Sequence, residues 1–157
     1  MNDESQNFDD ALLDALNAFN RDDYETAYKL FLPLAEQGDM FAQHFLALLH
    51  LEEGVNQDYK EAVKLFLLSA EQGNMFAQYG LGYMYYEGQG VPQDYEEAVK
   101  WYRLSAEQGD AEAQCGLGEM YYGGEGVPQD YAEAIKLWKL AAEQGHEEAQ
   151  YNLDNYA

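Results

Sequence analysis

The chain has 157 residues, enough for one domain of ordinary size, and is 47% apolar and 15% aromatic, too rich in Leu, Tyr and Trp for a disordered segment. Its formal charge of −22 argues against nucleic acid or an anionic membrane as a ligand, because both need Lys and Arg to displace counterions, and it permits a basic protein partner. The single cysteine, Cys115, allows no intrachain disulfide, and no apolar run approaches the roughly 20 residues that span a bilayer, so the chain reads as cytoplasmic.

Residues 1–7 form an acidic lead-in, MNDESQN, expected to be flexible. From Phe8 to Phe19, Leu12, Leu13, Ala15, Leu16 and Phe19 recur at helical spacing, and a second helix follows Asp22 and Asp23 with Ala27, Leu30, Phe31, Leu34 and Ala35 on its apolar side. Together residues 8–38 predict a helical hairpin.

From there the chain repeats itself. Gly73, Gly109 and Gly145 recur every 36 residues, and Gly38 lies 35 before Gly73. A period of this length signals stacked supersecondary units in place of one globular core. Three units follow, 39–73, 74–109 and 110–145, each with two helices, expected near 40–53 and 59–72, 75–87 and 95–108, and 111–123 and 131–144. Residues 146–157 match only a first helix and read as a C-terminal cap. The first full unit has a shorter inner loop, Glu53-Gly54, with Asn56 where Pro92 and Pro128 stand in the next two.

The punctuation has a physical logic. Gly38, Gly73, Gly109 and Gly145 suit left-handed helix C-caps. Asp39, Asn74 and Asp110 follow as N-caps, and Asp58, Asp94 and Asp130 cap the second helices, with Glu61, Glu97 and Glu133 completing capping boxes. Small residues recur where helices approach: Ala42, Ala77, Ala113 and Ala149, then Ala47, Gly82 and Gly118, then Ala62, Ala98 and Ala134. Leu46, Leu81, Leu117 and Leu153 recur between them, and Trp101 and Trp138 lie one position out of register, as interdigitating packing allows.

The pattern A-x-A-Q-x-x-L-G-x-x-Y-x-x-G-x-G-V-x-x-D-Y-x-x-A-x-x-W resembles the Sel1-like repeat, a relative of the tetratricopeptide repeat. It is followed nearly throughout in 74–109 and 110–145, and in 39–73 with His50 at the place of Tyr85 and Tyr121. The N-terminal hairpin looks more like a plain tetratricopeptide unit. The resemblance implies an all-α, right-handed α-solenoid of helix-turn-helix repeats, used as an adaptor or scaffold for protein complexes, with its first helices on the concave face.

On those first helices the residues not used by the motif form a stripe: Phe41, His44, Leu48 and Leu51, then Phe76, Tyr79, Tyr83 and Tyr86, then Glu112, Cys115, Glu119 and Tyr122, then Glu148 and Tyr151. All eight basic residues fall in or beside second helices, so a groove lined by first helices carries no positive charge. Tyrosine faces and carboxylates attract Arg and Lys through cation–π contact and Coulomb attraction. The expected partner is therefore a basic, Arg- or Lys-containing segment of another protein. The plainer alternative is that these tyrosines only fill gaps between adjacent first helices.

No convergent catalytic set is found, so an enzyme is not expected. His44 and His50 do not share a helix face as an i, i+4 metal pair would, His50 reads as a structural replacement for Tyr, and His146 stands at a cap position. Cys115 aligns with His44 and Tyr79 and is expected to be exposed in the groove, its pKa raised by Glu112 and Glu119, which disfavours a nucleophile. The Gly-x-Gly loops lack the Lys-Ser/Thr of a phosphate loop, and no cofactor or metal site is indicated. Two other functions stay open: an acidic mimic of nucleic acid that blocks a nucleic-acid-binding protein, and an uncharacterised hydrolase. An unpaired last helix exposing Leu153 and Tyr156 fits a monomer or a weak end-to-end dimer.

Overall fold

The computed structural model describes residues 3–52 and 57–157, with side chains from Asp9 onward. The short inner loop of the first full unit, Glu53-Gly54 and Asn56, lies outside the described residues. Among these there are nine α-helices and no strand. The chain forms two compact units, 1–74 and 75–157.

The first unit holds α1 (Asp3–Phe19), α2 (Tyr24–Glu36), α3 (Met40–Leu49) and α4 (Tyr59–Glu71), each packed on its neighbour in sequence. Helix α1 begins at Asp3, earlier than Phe8, so most of the acidic lead-in is helical. The core is built from Ala15, Ala18, Ala27, Phe31, Leu46, Ala47 and Phe66, all buried. Within it Phe31 stacks on Phe45, centroids 5.3 Å apart and 6° from parallel, and Phe19 closes on both edge-on.

The second unit holds α5 (Met75–Glu87), α6 (Tyr95–Glu107), α7 (Ala111–Gly123), α8 (Tyr131–Glu143) and α9 (Glu147–Tyr156), again packed in sequence order. The repeated alanines Ala77, Ala98, Ala113, Ala134 and Ala149 are fully buried. The large residues that meet the small ones are Tyr102 and Trp138, one repeat apart. A Cβ on Gly82 would lie 2.6 Å from Tyr102 Cδ1, and one on Gly118 would lie 2.6 Å from Trp138 Nε1. Trp101 is only partly buried, so the apparent offset of the two tryptophans dissolves: the register that fills the glycine notch is Tyr102 and Trp138.

Two backbone and side-chain locks recur. The amide of the second-helix cap closes the inner loop: Asp58 N–H donates to His50 O, Asp94 to Tyr85 O and Asp130 to Tyr121 O, each at 2.9 Å. Helix α3 ends at Leu49, short of residue 53, and buried His50 takes the place that Tyr85 and Tyr121 hold in the later units. The second lock is a buried glutamine. Gln114 Nε2 donates to Ala106 O of α6 at 3.3 Å, while its Oε1 accepts from Gln144 Nε2 of α8 at 2.9 Å. Gln43 makes the matching bonds to Ala35 O and from Gln72 in the first unit. One amide thus ties a first helix to the helices on both sides.

The caps follow the sequence with two changes. Asp58, Asp94 and Asp130 accept from the amides of Glu61, Glu97 and Glu133. The glutamates reach forward along their helices to Lys64, Lys100 and Lys136 in exposed ion pairs, and do not close capping boxes. An i, i+3 lysine lies within reach of each of these carboxylates, and such exposed pairs add little to stability. Asp110 is also redirected: its Oδ2 accepts from Ser105 Oγ at 2.9 Å inside the unit.

Candidate functional site

The second unit contains a cavity of about 210 Å³ between α5, α7 and the start of α9. Its aromatic side is Tyr79, Tyr83 and Tyr86 of α5, with Tyr102 of α6 behind them. Tyr79 and Tyr102 stack, centroids 5.6 Å apart and 23° from parallel. Gly116 leaves the room for that floor, since a Cβ there would lie 3.3 Å from Tyr102 Cε2. Tyr83 is the open face, 39% exposed. Burial pushes the Tyr79 and Tyr86 hydroxyls up to about 12, with Glu112 and Glu125 adding to the effect, so both rings are neutral at physiological pH.

The opposite side is acidic. Glu112 and Glu119 come from α7 and Glu148 from the first turn of α9, with Glu87 at the end of α5. Cys115 Sγ and oxygens of Glu119 and Glu148 lie within 4.8 Å of one another. Two of the carboxylates are held in place. Asn152 Nδ2 donates to Glu119 Oε1 at 3.0 Å from a buried position on α9. His146 accepts the Ala149 amide on Nδ1 at 3.2 Å, which puts its ring proton on Nε2, 3.2 Å from Glu112 Oε2. The Glu119 side chain reaches solvent, yet its carboxyl is turned inward against Asn152 and Cys115, and desolvation with the nearby Glu148 charge raises its pKa. None of α5, α7 and α9 carries a Lys or Arg.

Seven of the stripe residues expected from sequence therefore converge: Tyr79, Tyr83, Tyr86, Glu112, Cys115, Glu119 and Glu148. Others do not join them. Tyr122 packs between Tyr131, Trp138 and Tyr156, and Phe76 and Tyr151 are exposed outside the cavity. In the first unit Phe41 is exposed, Leu48 is partly buried, and His44 packs against Phe45 and Phe66, where burial lowers its pKa to about 4.

Cys115 corrects one expectation. It is 3% exposed, because Ala149 packs against it and Asn152 lies over it from α9. Its pKa is raised to about 12, first by burial and then by Glu119, Glu148 and Glu112. The sequence reading missed Tyr102, Glu87, His146 and Asn152. Asn152 stands in the register of Gly80 and Gly116, so a departure from the repeat at a glycine position was the available signal.

The family model described as Sel1 repeat matches residues 20–39, 41–74, 76–110 and 111–146. The chain belongs to the Sel1-repeat family. It is an all-α helical-repeat protein of the solenoid class. The first of these matches, 20–39, covers α2 and lies beyond α1. Among solved structures the chain is similar to the Sel1 repeat protein from Oxalobacter formigenes, with TM-score 0.86 and 32% identity, over 92% of this chain and 58% of that one. It is also similar to c5321, a protective antigen of uropathogenic Escherichia coli strains with an SLR fold, with TM-score 0.76 and 44% identity, over 78% of this chain and 27% of that one. Helicobacter pylori cysteine rich protein B, at TM-score 0.65 and 22% identity over 81% of this chain and 92% of that one, shares the fold. The chain thus spans 27% and 58% of the lengths of its two more identical relatives. A search of curated proteins found no match. Sel1-repeat proteins generally mediate protein–protein interaction. No helix among the described residues is long and apolar enough to cross a membrane.

Proposed function

We propose that this Sel1-repeat chain is an interaction adaptor whose second unit binds a basic segment of another protein. The observation that carries the reading is the pocket itself. Tyrosine faces stand opposite the carboxylates of Glu112, Glu119 and Glu148, and the three helices that supply them hold no cation. A cationic side chain gains from the ring quadrupole, at about 0.5–2 kcal/mol per contact, and from carboxylates in a partly desolvated setting. The overall charge of −22 raises the association rate of a basic partner at low salt and opposes self-association through the same surface.

The site suits binding more than catalysis. Its one thiol is held protonated by burial, and two of its carboxylates, Glu119 and Glu112, are engaged with Asn152 and His146. A single buried cysteine also fits a reducing compartment such as the cytoplasm.

The test is a calorimetric titration with a blocked peptide of alternating Arg and Gly, run at about 20 and 150 mM salt, where screening differs severalfold. The full chain binds the peptide, more weakly at the higher salt. The double variant Tyr83→Ala, Glu148→Gln alters two exposed side chains and loses about tenfold or more in affinity, a change of about 1.4 kcal/mol. Equal affinity in a variant with an unchanged helical spectrum overturns the proposal.

A further inference from the structure

The pocket also discriminates among cations, an inference that rests on the basic-segment reading above. From its shape and donor needs we infer that it takes one arginine side chain, in preference to lysine or to a methylated lysine.

Three features point the same way. First, the carboxylates are several and separated in origin: Glu119 lies on α7 and Glu148 on α9, with oxygens within 4.8 Å. That spacing brings two like charges close without a direct bond between them. A cation bridging both must donate along more than one direction. Guanidinium has five N–H donors in a rigid planar fork, whereas an ammonium is a compact, strongly hydrated point charge.

Second, Glu119 does not turn freely. The bond from buried Asn152 fixes its Oε1 side, and the Cys115 thiol donates to the same oxygen at 3.8 Å. Its other oxygen is left to a ligand. A pre-oriented carboxylate favours a partner whose own donors are pre-oriented, since little freedom is lost on pairing.

Third, the aromatic wall is layered. Tyr79 lies nearly parallel to Tyr102, and Tyr83 opens to solvent beside it. A planar guanidinium stacks on such a wall and sheds its hydration more easily than ammonium does. A trimethylammonium group also favours aromatic faces, but it carries no N–H and leaves the carboxylates without donors.

The experiment compares three blocked pentapeptides that differ only at the central residue: Arg, Lys and trimethyllysine. Each is titrated into the full chain at about 20 mM salt, and the Arg peptide also into the Tyr83→Ala, Glu148→Gln variant. The inference expects the Arg peptide to bind the full chain at least about tenfold more tightly than either other peptide does, and to bind the variant at least about tenfold more weakly than the full chain. A Lys or trimethyllysine peptide that binds as tightly as the Arg peptide overturns arginine selection and leaves the basic-segment reading standing. No binding by any of the three, together with failure of the longer Arg-Gly peptide, overturns both.

Discussion

Asn152 Nδ2 donates to Glu119 Oε1 at 3.0 Å, joining the last helix of the chain to the acidic wall of the pocket. Asn152 is buried, so removing its amide leaves a partly desolvated carboxylate with only the weak Cys115 thiol as donor. Asn152→Ala is expected to lower stability by about 1–3 kcal/mol, the usual range for an unsatisfied buried polar group. It should also narrow the Arg-over-Lys margin, because Glu119 then turns freely. Thermal melts together with the two peptide titrations check both effects. A variant that loses stability but keeps the margin would make Asn152 purely structural.

Glu119 contributes to the pH dependence of stability. Desolvation, with the neighbouring Glu148, raises its pKa in the folded state, so the folded chain holds that proton more tightly than the unfolded chain does. Stability from the protonated form is present below the unfolded pKa and is lost as pH rises through the folded one. Glu119→Gln should therefore raise the melting temperature at pH 7 relative to wild type and have less effect near pH 4. The same substitution should weaken Arg-peptide binding at pH 7. Parallel melts at the two pH values check the sign, and a melting temperature that falls at pH 7 contradicts it.

The Cys115 thiol should be nearly inert while the fold is intact. Its pKa rises from 9.0 to about 12, which lowers the thiolate fraction at pH 8 by roughly a thousandfold before its 3% exposure is counted. Labelling with a chromogenic thiol reagent is expected to be at least that much slower in buffer than in denaturant. Fast labelling of the folded chain would mean that α9 does not cover the thiol as described.

Gly118 and Trp138 should behave as one packing unit. A Cβ at Gly118 would lie 2.6 Å from Trp138 Nε1 and 3.3 Å from Ala134 O, so the ring must shift. Gly118→Ala is expected to cost about 1–3 kcal/mol, as overpacking does. Paired with Trp138→Phe it should cost less than the sum of the two, measured by a denaturant double-mutant cycle.

The repeat, helix order, glycine caps and buried alanines were legible because each repeats a local rule at a fixed period. Gly109 and Gly145 have φ of 101° and 88°, the left-handed region that a helix-ending glycine supplies. What sequence could not supply was contact between helices far apart in the chain. The α7 sequence alone leaves Cys115 on an open face, and α9 buries it. The spacing of Asp94 and Glu97 predicts a capping box, and Lys100 draws Glu97 forward instead. Tyr102 escaped the site list because it lies on a second helix, although its ring reaches through the glycine notch to stack on Tyr79.

The most direct measurement is a chemical-shift map of the isotope-labelled full chain during titration with the Arg-Gly peptide. A cation pocket in the second unit predicts the largest shifts at Tyr83, Glu119, Glu148 and Asn152, saturating together with the calorimetric isotherm. Shifts confined to residues outside that pocket, or no saturable shift, would contradict it.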